Sequence, residues 1–536
     1  MSASPFNSEH VGEWASFGPK LKGKPTPEQR VALAERKEKR TAMKQRLFEE
    51  LNDPKWTEKK IEKELDRLME EQEKAAERPE YLDGPSGTRD FYPPEMKVQR
   101  WLFDNFRKTA ASYGFEEYDA PVLEHVKLYE RKAGEEIVDQ MYNFTDKEGK
   151  HVTLRPEMTP TLARMVLNKT NLVTGEVRLT LPLKWFSIPQ CWRFETTQRG
   201  RKREHYQWNM DIVGVNHVHA ELELLAAACQ FFRGLGIGPD VVGIKVNSRA
   251  VLEAVLSKHG ITKGQKDKSD GGDVFAKACV IIDKLDKIGG CAVTDLLGEI
   301  GVNADSAADI LKALEAPTVD QLSEHIGGET EAVGEVKRLF ELAKDYGIDD
   351  YLIFDASVVR GLAYYTGIVW EAFDRRGELR AIMGGGRYDR LLELYGGAKC
   401  QIPCVGFGFG DCVIMELLKE CGKLPDFQES GVDYVVCAFS PELYGAACSI
   451  SSKLRACGCT VDLMPTPKKR VAASFTYADQ CGARRMVFVA PDEIEKGVVR
   501  IKDLRTKDKN GEAVQVDCPL DEMHTVDDLV ANAAAN

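Results

Sequence analysis

The sequence predicts an α+β protein built from several folding units, and three observations lead to that prediction. The chain has 536 residues, which at roughly 150 residues per domain is more than one hydrophobic core supplies. Residues 248–345 carry apolar residues at helical spacing, whereas residues 432–489 alternate between strand-like and helix-like segments. A densely charged segment precedes both, so the architecture combines a charged arm, a core, a helical insertion and an α/β unit.

These changes in composition predict the domain boundaries. We expect a charged helical N-terminal extension at 1–80, a core domain formed by 81–247 and 346–425, a helical insertion at 248–345 and a closing α/β domain at 430–536. Apolar residues make up 43% and charged residues 29% of the chain, which excludes a wholly disordered or fibrous protein. The net charge of −12 means that any nucleic acid must be bound by local basic patches.

Membrane insertion and a zinc site are not expected. No apolar run approaches the 18 or so residues that span a bilayer, and Met1-Ser2-Ala3-Ser4-Pro5 does not resemble a secretory leader. The 14 cysteines are scattered and lack the pairing with histidines or further cysteines that zinc requires. We therefore expect reduced cysteines, no bound metal and a cytoplasmic location.

The N-terminal extension is predicted to form two charged helices. Between Glu28 and Arg78 basic and acidic residues are interleaved, and Pro54 interrupts the helical pattern because proline disfavours helix in the residue before it. Basic residues such as Arg36 and Arg40 suit an RNA-binding or partner-binding appendix, while a solvated arm explains the same charges. Both interpretations stay open.

The core domain opens with a helix followed by an extended segment, and the chain closes with alternating strands and helices. Val98, Leu102 and Phe106 recur at helical spacing until Gly114, after which Pro121 lies in an extended stretch. Near the C-terminus, 432–438, 460–463 and 485–489 read as strands separated by helices, which predicts a small α/β domain.

The segment 192–213 predicts a β-hairpin with a chemical face. Gln207 and Asp211 alternate with Trp208, Met210 and Ile212, so at a period of two the polar side chains share one surface. Arg193 ends the first strand, and the connecting loop carries a dense group of cations suited to phosphates, namely Arg199, Arg201, Lys202 and Arg203.

Three further segments carry polar groups that would bind a small ligand together. Glu157 and Thr159 are two residues apart, and in an extended segment their carboxylate and hydroxyl point to the same side, where they could hold an ammonium group. The run from Arg360 to Glu371 couples an arginine to paired tyrosines, and Gly384-Gly385-Gly386 lets a backbone approach a ligand closely. Each segment alone is also explained by ordinary packing.

In this order and spacing, the four segments resemble the histidyl-tRNA synthetases, a family of class II aminoacyl-tRNA synthetases, of the eukaryotic cytosolic type. The resemblance covers about residues 85 to 535 and is most specific at Arg360-Gly361-Leu362 with Tyr364-Tyr365. It implies a class II core of antiparallel sheet flanked by helices, with a homodimer interface near Pro121. It also implies that the insertion is followed by an anticodon-binding domain.

The resemblance implies an ATP-dependent ligation of L-histidine to tRNA(His) through a histidyl-adenylate, with Mg²⁺ accompanying ATP. It assigns histidine binding to Glu157, Thr159, Gln207, Asp211, Tyr365 and Tyr388, ATP binding to Arg193, Glu195 and Arg201, catalysis to Arg193 and Arg360, and contact with the tRNA acceptor end to Gln198 and Arg199. Asp211 and Tyr365 are the expected imidazole pair, with Tyr388 nearby; a carboxylate and a phenol suit the two ring nitrogens.

Two positions depart from the family pattern. Val413 stands where the third class motif has an arginine facing ATP, for which Arg201 or Arg387 could compensate, and Ala363 stands where many members have aspartate. The Val413 departure keeps one alternative open, a synthetase-like regulatory protein that binds uncharged tRNA without catalysis. A synthetase for another amino acid and a coiled-coil interaction protein are weaker alternatives, because Asp211 suits histidine and residues 28–78 lack sustained heptads.

Overall fold

A computed structural model describes residues 37, 40–44, 60, 63–69, 80–130, 138–267, 271–359, 364–425, 427, 431–468 and 470–535. The chain divides into two compact units, Met1–Ser86 and Gly87–Asn536. In the first unit, the described residues at 40–44 and 63–69 are helical. Arg40 Nη1 lies 2.6 Å from Asp66 Oδ1, and Leu65 and Met69 are buried beside Met43. Two helical segments therefore contact each other there, as the charge and proline pattern predicts.

The second unit contains 17 strands among its described residues. They are β1 (Glu116–Glu117), β2 (Leu123–His125), β3 (Asn143–Thr145), β4 (His151–Leu154), β5 (Leu183–Ser187), β6 (Gln190–Trp192), β7 (Glu204–Val213), β8 (Val242–Ser248), β9 (Leu352–Phe354), β10 (Ile368–Asp374), β11 (Met383–Arg387), β12 (Cys404–Gly410), β13 (Tyr434–Ala438), β14 (Val461–Leu463), β15 (Arg485–Val489), β16 (Val498–Lys507) and β17 (Ala513–Pro519).

The helices of this unit follow the same chain order. They are α1 (Pro93–Ser112), α2 (Lys127–Glu130), α3 (Thr159–Asn168), α4 (His219–Gly234), α5 (Arg249–Lys258), α6 (Val274–Ile282), α7 (Leu285–Glu299), α8 (Ala304–Leu314), α9 (Val319–Ile326), α10 (Glu331–Tyr346), α11 (Leu391–Gly396), α12 (Asp411–Glu420), α13 (Tyr444–Ala456), α14 (Val471–Gln480), α15 (Pro491–Glu495) and α16 (Val526–Ala535). Short 3-10 helices occupy Pro441–Leu443 and Met523–Thr525, and another, Glu80–Leu82, belongs to the first unit.

The large sheet has the order β1-β5-β7-β12-β11-β10-β8-β9, and β6 pairs with β7. Only β1 with β5 and β8 with β9 are parallel pairs, and the other pairs of this sheet are antiparallel. Helices α1 and α4 cover one face, where Leu102, Phe106 and Phe231 pack against Trp208 of β7 in one core. The expectation of a mainly antiparallel sheet flanked by helices is confirmed.

The expected hairpin is also confirmed, because β6 and β7 pair antiparallel through Cys191 and His205. Trp208, Met210 and Ile212 are buried in the core, as the alternation predicts. Helix α1 contains the expected apolar stripe, and the chain turns at Gly114 with a φ of 73° that favours glycine.

Helices α5 to α10 follow one another between β8 and β9, which supports a helical insertion with the proposed limits 248–345. Several of these helices begin at a capping side chain; Asn303, for example, accepts a hydrogen bond from the backbone N–H of Ser306 at 2.8 Å. Their buried faces, with Val255, Ile310 and Leu339, join the core of the large sheet.

The last part of the chain forms a separate sheet, β14-β13-β15-β16-β17. Strands β13, β14 and β15 are parallel and alternate with α13 and α14, as the sequence predicts. The antiparallel pair β16 and β17 extends the sheet, an element that the alternation does not reveal. No helix within the described residues is long and apolar enough to cross a lipid bilayer.

Candidate active site

The polar face of β7 lies against a glycine-rich neighbouring strand. Asp211 pairs with Gly406 of β12, and Gln207 pairs with Gly410. A Cβ atom on Gly406 would lie 2.0 Å from Asp211 Oδ1, and one on Gly408 would lie 2.0 Å from Gln207 Nε2. The two polar side chains therefore lie across the backbone of β12, where a side chain on either glycine would displace them.

Asp211 and Tyr388 form a buried pair beneath this face. The hydroxyl of Tyr388, the residue directly after β11, donates a hydrogen bond to Asp211 Oδ1. Asp211 is 2% exposed, and its Oδ2 has no hydrogen-bond partner within the part of the chain that the structure describes. Burial raises the pKa of Asp211 from its usual 3.8 to about 7, although the bond from Tyr388 opposes the rise. An acceptor oxygen therefore stays open for a donor from a ligand.

Tyr365, which is expected to bind the substrate imidazole together with Asp211, lies in a cluster of tyrosines. Its ring packs against Tyr364, with centroids 4.9 Å apart, and Tyr364 in turn packs against Tyr388. Tyr365 also lines a second cavity of about 400 Å³ together with Arg249 and Cys279. The phenol that hydrogen-bonds to Asp211 is that of Tyr388, and Tyr364 contacts both Tyr388 and Tyr365. The assignment of Tyr365 to the substrate imidazole stays a prediction.

Glu157 and Arg193 meet beside β7. Arg193 Nε donates to Pro156 O at 2.9 Å, and its Nη2 lies 3.8 Å from Glu157 Oε2. Glu157 is 4% exposed. Thr159 does not lie in an extended segment, because α3 begins at Thr159 and the chain turns at Met158. The premise that Thr159 and Glu157 lie on one side of an extended segment is therefore wrong. The helix begins here because Pro160 favours the first turn of a helix.

A central cavity of about 280 Å³ opens next to Gln207. Among the described residues, its lining is Arg193, Glu195, Gly200, Arg201, Lys202, His205, Gln207, Arg380, Ala381, Ile382, Met383, Gly384, Gly408, Gly410, Cys412 and Val413. Four of the residues predicted from the sequence, Arg193, Glu195, Arg201 and Gln207, thus share one cavity. Its cationic side chains suit a polyphosphate.

Ion pairs fix the loop between β6 and β7. Arg201 pairs with Glu195 inside the cavity. Arg199 points instead to α12, where its Nε lies 3.0 Å from Glu416 Oε2 and a second nitrogen contacts Glu420. Arg199 is thus held by two carboxylates in this structure, and the tRNA contact expected for it requires that these ion pairs exchange.

Two cavity residues were missed by the sequence reasoning. His205 lies on the same face as Gln207, and loss of water together with the Arg193 guanidinium lowers its pKa from 6.5 to about 4, so the ring is neutral at pH 7. Its place two residues before Gln207 on the predicted strand could have revealed it. Arg380 enters from the β10–β11 connection and donates to Gln198 Oε1 at 3.1 Å, and no sequence pattern marked it.

The structure rejects Arg387 as a replacement for the missing arginine. Its side chain is 8% exposed, and its guanidinium donates to Glu221, to Val215 O at 2.9 Å and to His217 O at 3.1 Å. These bonds hold β11 to the start of α4, outside the central cavity. Arg201 does line the cavity, whereas Arg360 and Ala363 lie outside the described residues.

The start of β7 rests on a buried charged hub at Asp411, the first residue of α12. Asp411 accepts from Gln99 Nε2 at 3.0 Å and from the Tyr206 backbone N–H at 3.0 Å, and it lies 3.0 Å from Arg89 Nη2. Arg89 also pairs with Glu204 at 2.7 Å. The hub fixes the register of β7 against α12, and with it the position of Gln207.

Comparison with protein families identifies the fold around this site. A family model for histidyl-tRNA synthetase matches residues 87–410, and a model for an anticodon binding domain matches residues 433–526. The chain belongs to the histidyl-tRNA synthetase family. The family match covers every strand of the large sheet and all the predicted site residues.

Curated and solved relatives agree with this family membership. The chain is 48% identical over 435 residues to the chloroplastic/mitochondrial histidine–tRNA ligase of Arabidopsis thaliana, covering 81% of this chain and 85% of the relative. It is 36% identical to the histidine–tRNA ligase of Thermoplasma volcanium, covering 78% and 93% respectively. The histidyl-tRNA synthetase structure from Nostoc sp. PCC 7120 shares the fold, with a TM-score of 0.64 at 24% identity over 83% of this chain and 99% of that one.

As a member of the histidyl-tRNA synthetase family, the chain is an enzyme, an aminoacyl-tRNA ligase. These matches favour catalysis over the regulatory alternative, because both curated relatives are ligases and most of the chain aligns with them. The buried Asp211–Tyr388 pair beside the cationic cavity accords with that conclusion.

Proposed function

We propose that the chain ligates L-histidine to tRNA(His) with ATP, through a histidyl-adenylate formed between the buried Asp211 and the central cavity, which Gln207 lines. The open Oδ2 of Asp211 carries this proposal, because a buried carboxylate that keeps one free acceptor is suited to an imidazole N–H. An analogue without that donor would leave the oxygen unpaired. Polar pockets of this kind reject such analogues strongly.

Around that anchor we assign the remaining substrate contacts. Glu157 and Gln207 bind the α-ammonium group, and Tyr388 completes the imidazole site. Thr159 and Tyr365 stay in the proposal as flanking residues, at the start of α3 and in the tyrosine cluster. Burial of Glu157 and its distance of 3.8 Å from Arg193 support a site in which the ammonium and a phosphate lie next to each other.

The chemistry requires cations more than a protein base. The histidine carboxylate attacks the α-phosphate of ATP in line and releases pyrophosphate, so two anions must approach each other. Arg193 can compensate this charge, because the hydrogen bond from its Nε to the backbone oxygen of Pro156 fixes the side chain before substrate arrives. Arg360 is assigned the substrate carboxylate, and Glu195 and Arg201 flank the nucleotide. In a second step the terminal adenosine hydroxyl of tRNA attacks the acyl carbonyl and displaces AMP.

Mg²⁺ is proposed to enter with the nucleotide. Within the described residues no group of three or more histidine, cysteine, aspartate or glutamate side chains could hold a metal ion, and Glu195 is the one carboxylate among the described lining residues of the cavity. Triphosphate oxygens are the ligands that Mg²⁺ prefers, so it would compensate phosphate charge alongside the arginines.

The experiment for this function is pyrophosphate exchange into ATP, run with each of the 20 amino acids. Exchange is expected with histidine alone and is expected to be lost in Arg360→Ala. Asp211→Asn is expected to raise the KM for histidine by about tenfold or more with little change in the KM for ATP, since it removes a charge-assisted hydrogen bond. A wild-type enzyme without exchange would favour the regulatory alternative, and equal losses for both substrates would remove Asp211 from the imidazole site.

The C-terminal domain is proposed to bind the anticodon region of the tRNA. Lys468 and Arg470 are exposed just before α14, whereas Arg485 is 2% exposed and bound to Asp503 at 3.0 Å. A Lys468→Ala/Arg470→Ala variant is expected to raise the KM for tRNA in aminoacylation and leave pyrophosphate exchange unchanged, because exchange needs no tRNA. Unchanged aminoacylation would place the RNA elsewhere.

A homodimer and a cytosolic location complete the proposal. Exposed apolar side chains near the small sheet β2-β4-β3, namely Val122, Leu123 and Phe144, support an interface in that region. Light scattering on the wild type and on Leu123→Asp/Phe144→Asp tests it; a monomeric wild type would contradict it.

All 14 cysteines are free, which suits a reducing compartment. Fluorescence microscopy of the tagged full chain tests the cytosol against an organelle.

A further inference from the structure

The central cavity contains three arginines whose surroundings differ. Arg193 faces the Glu157 carboxylate, and Arg201 is paired with Glu195. Arg380 donates to Gln198 Oε1 at 3.1 Å, which is the neutral oxygen of an amide. Among the described arginines of this cavity, Arg380 is therefore the one without an ion-pair partner, and its positive charge is not compensated within the described part of the chain.

Position 413 cannot provide a further cation. Val413 lies in the first turn of α12, and its Cγ2 would lie 3.1 Å from a Cβ on Gly200. The valine thus packs against Gly200 in the turn of the β6–β7 loop and brings no charge to the cavity that both residues line. The other nearby arginines are engaged elsewhere: Arg199 with Glu416, and Arg376 with Asp374 at 3.1 Å.

Arg380 is also attached to a rigid wall of the cavity. The residues after it, from Ala381 to Gly384, line the same cavity and lead into β11. The backbone N–H of Ile382 donates to Ala372 O at 2.8 Å, so the sheet fixes the segment that carries Arg380. A guanidinium on such a wall is positioned before the ligand arrives, which reduces the entropy lost on binding.

We infer that Arg380 binds the terminal phosphates of ATP and supplies the positive charge that position 413 lacks. The nucleotide brings about four negative charges into a cavity where two of the three arginines already face carboxylates. A planar guanidinium can donate two parallel hydrogen bonds to phosphate oxygens. On binding, Arg380 exchanges its neutral partner Gln198 for a charged one. This role rests on the proposed use of ATP in the central cavity.

The test compares Arg380→Ala and Arg380→Lys with a matched control, Arg375→Ala. Arg375 lies in the same β10–β11 connection but donates to Asp350 O at 3.2 Å outside the cavity. Histidine-dependent pyrophosphate exchange is expected to show a KM for ATP about tenfold or more higher in Arg380→Ala, a smaller rise in Arg380→Lys, and no change in Arg375→Ala. The KM for histidine is expected to stay within about twofold in all three, the scatter expected for a group that does not touch that substrate.

Measurements of nucleotide binding without the reaction test the role of Arg380 separately from the ligase function. Calorimetry with ATP and with AMP is expected to show weaker ATP binding by Arg380→Ala and unchanged AMP binding, because AMP lacks the terminal phosphates. The inference would be overturned if Arg380→Ala kept a KM for ATP within twofold of the wild type, or if it bound ATP and AMP equally more weakly. It would also be overturned if only Lys202→Ala lost affinity for ATP. A wild type that binds ATP without exchange would contradict the ligase proposal alone, since the ATP-to-AMP comparison still tests Arg380.

Discussion

Replacement of Asp211 by asparagine is expected to stabilise the free protein above neutral pH. The carboxyl group is 2% exposed, and its pKa rises from 3.8 to about 7 because burial disfavours the charged form. In the unfolded chain the same group ionises near pH 3.9. Between about pH 4 and pH 7 the folded state therefore holds a proton that the unfolded state has released, so stability falls as pH rises through this window and is constant above it.

The size of the effect follows from the two pKa values. A difference of about 3 at about 1.4 kcal/mol for each pKa unit gives an upper limit of about 4 kcal/mol lost between pH 4 and pH 8. Asparagine has nearly the same shape, still accepts from Tyr388 and does not titrate, so it lacks this loss. The variant is thus expected to resemble the wild type near pH 4.5 and to be more stable by a few kcal/mol at pH 8.

Urea unfolding followed by tryptophan fluorescence measures this difference, because Trp208 and Trp370 are fully buried in the large sheet. Wild type and Asp211→Asn would be compared at matched pH values from 4.5 to 8.5. Tyr388→Phe is a second variant: it removes the hydrogen bond that lowers the pKa of Asp211, so the decline should extend to higher pH. A stability difference independent of pH would refute the reasoning.

Three further changes test other parts of the site. Gly406→Ala is expected to lower kcat/KM for histidine by about tenfold or more, because its methyl group would lie 2.0 Å from Asp211 Oδ1; unchanged exchange kinetics would show that the site can relax. Asp411→Ala is expected to destabilise the protein by about 3–5 kcal/mol in urea unfolding, since it leaves a buried hub of donors unpaired; a loss below about 1 kcal/mol would contradict this. Glu420→Gln is expected to lower the KM for tRNA about two- to fivefold, since a weakened exposed ion pair releases Arg199; an unchanged KM in aminoacylation would remove Arg199 from the tRNA site.

The local elements of the fold could be predicted because each depends on periodicity within a short window. Alternation along 206–212 correctly places Trp208 and Met210 in the core and Gln207 and Asp211 together on the other face, against the glycines of β12. The β16–β17 hairpin was missed, because its strands are interrupted by charged residues and a shift of register between Lys502 and Lys507. Thr159 was misplaced because proline at the first turn of a helix outweighed the extended pattern before it.

The sequence by itself determined the residue types and the family to which they belong, because a class motif and the alternation of a strand are both encoded locally. Only the tertiary structure decided the partners: the Tyr388 hydroxyl for Asp211, two carboxylates for Arg199, and a cavity wall for Arg380. Those contacts join residues more than 170 positions apart along the chain. The register of the strands and the volume available beside each glycine set such contacts, and no short window of sequence contains either quantity.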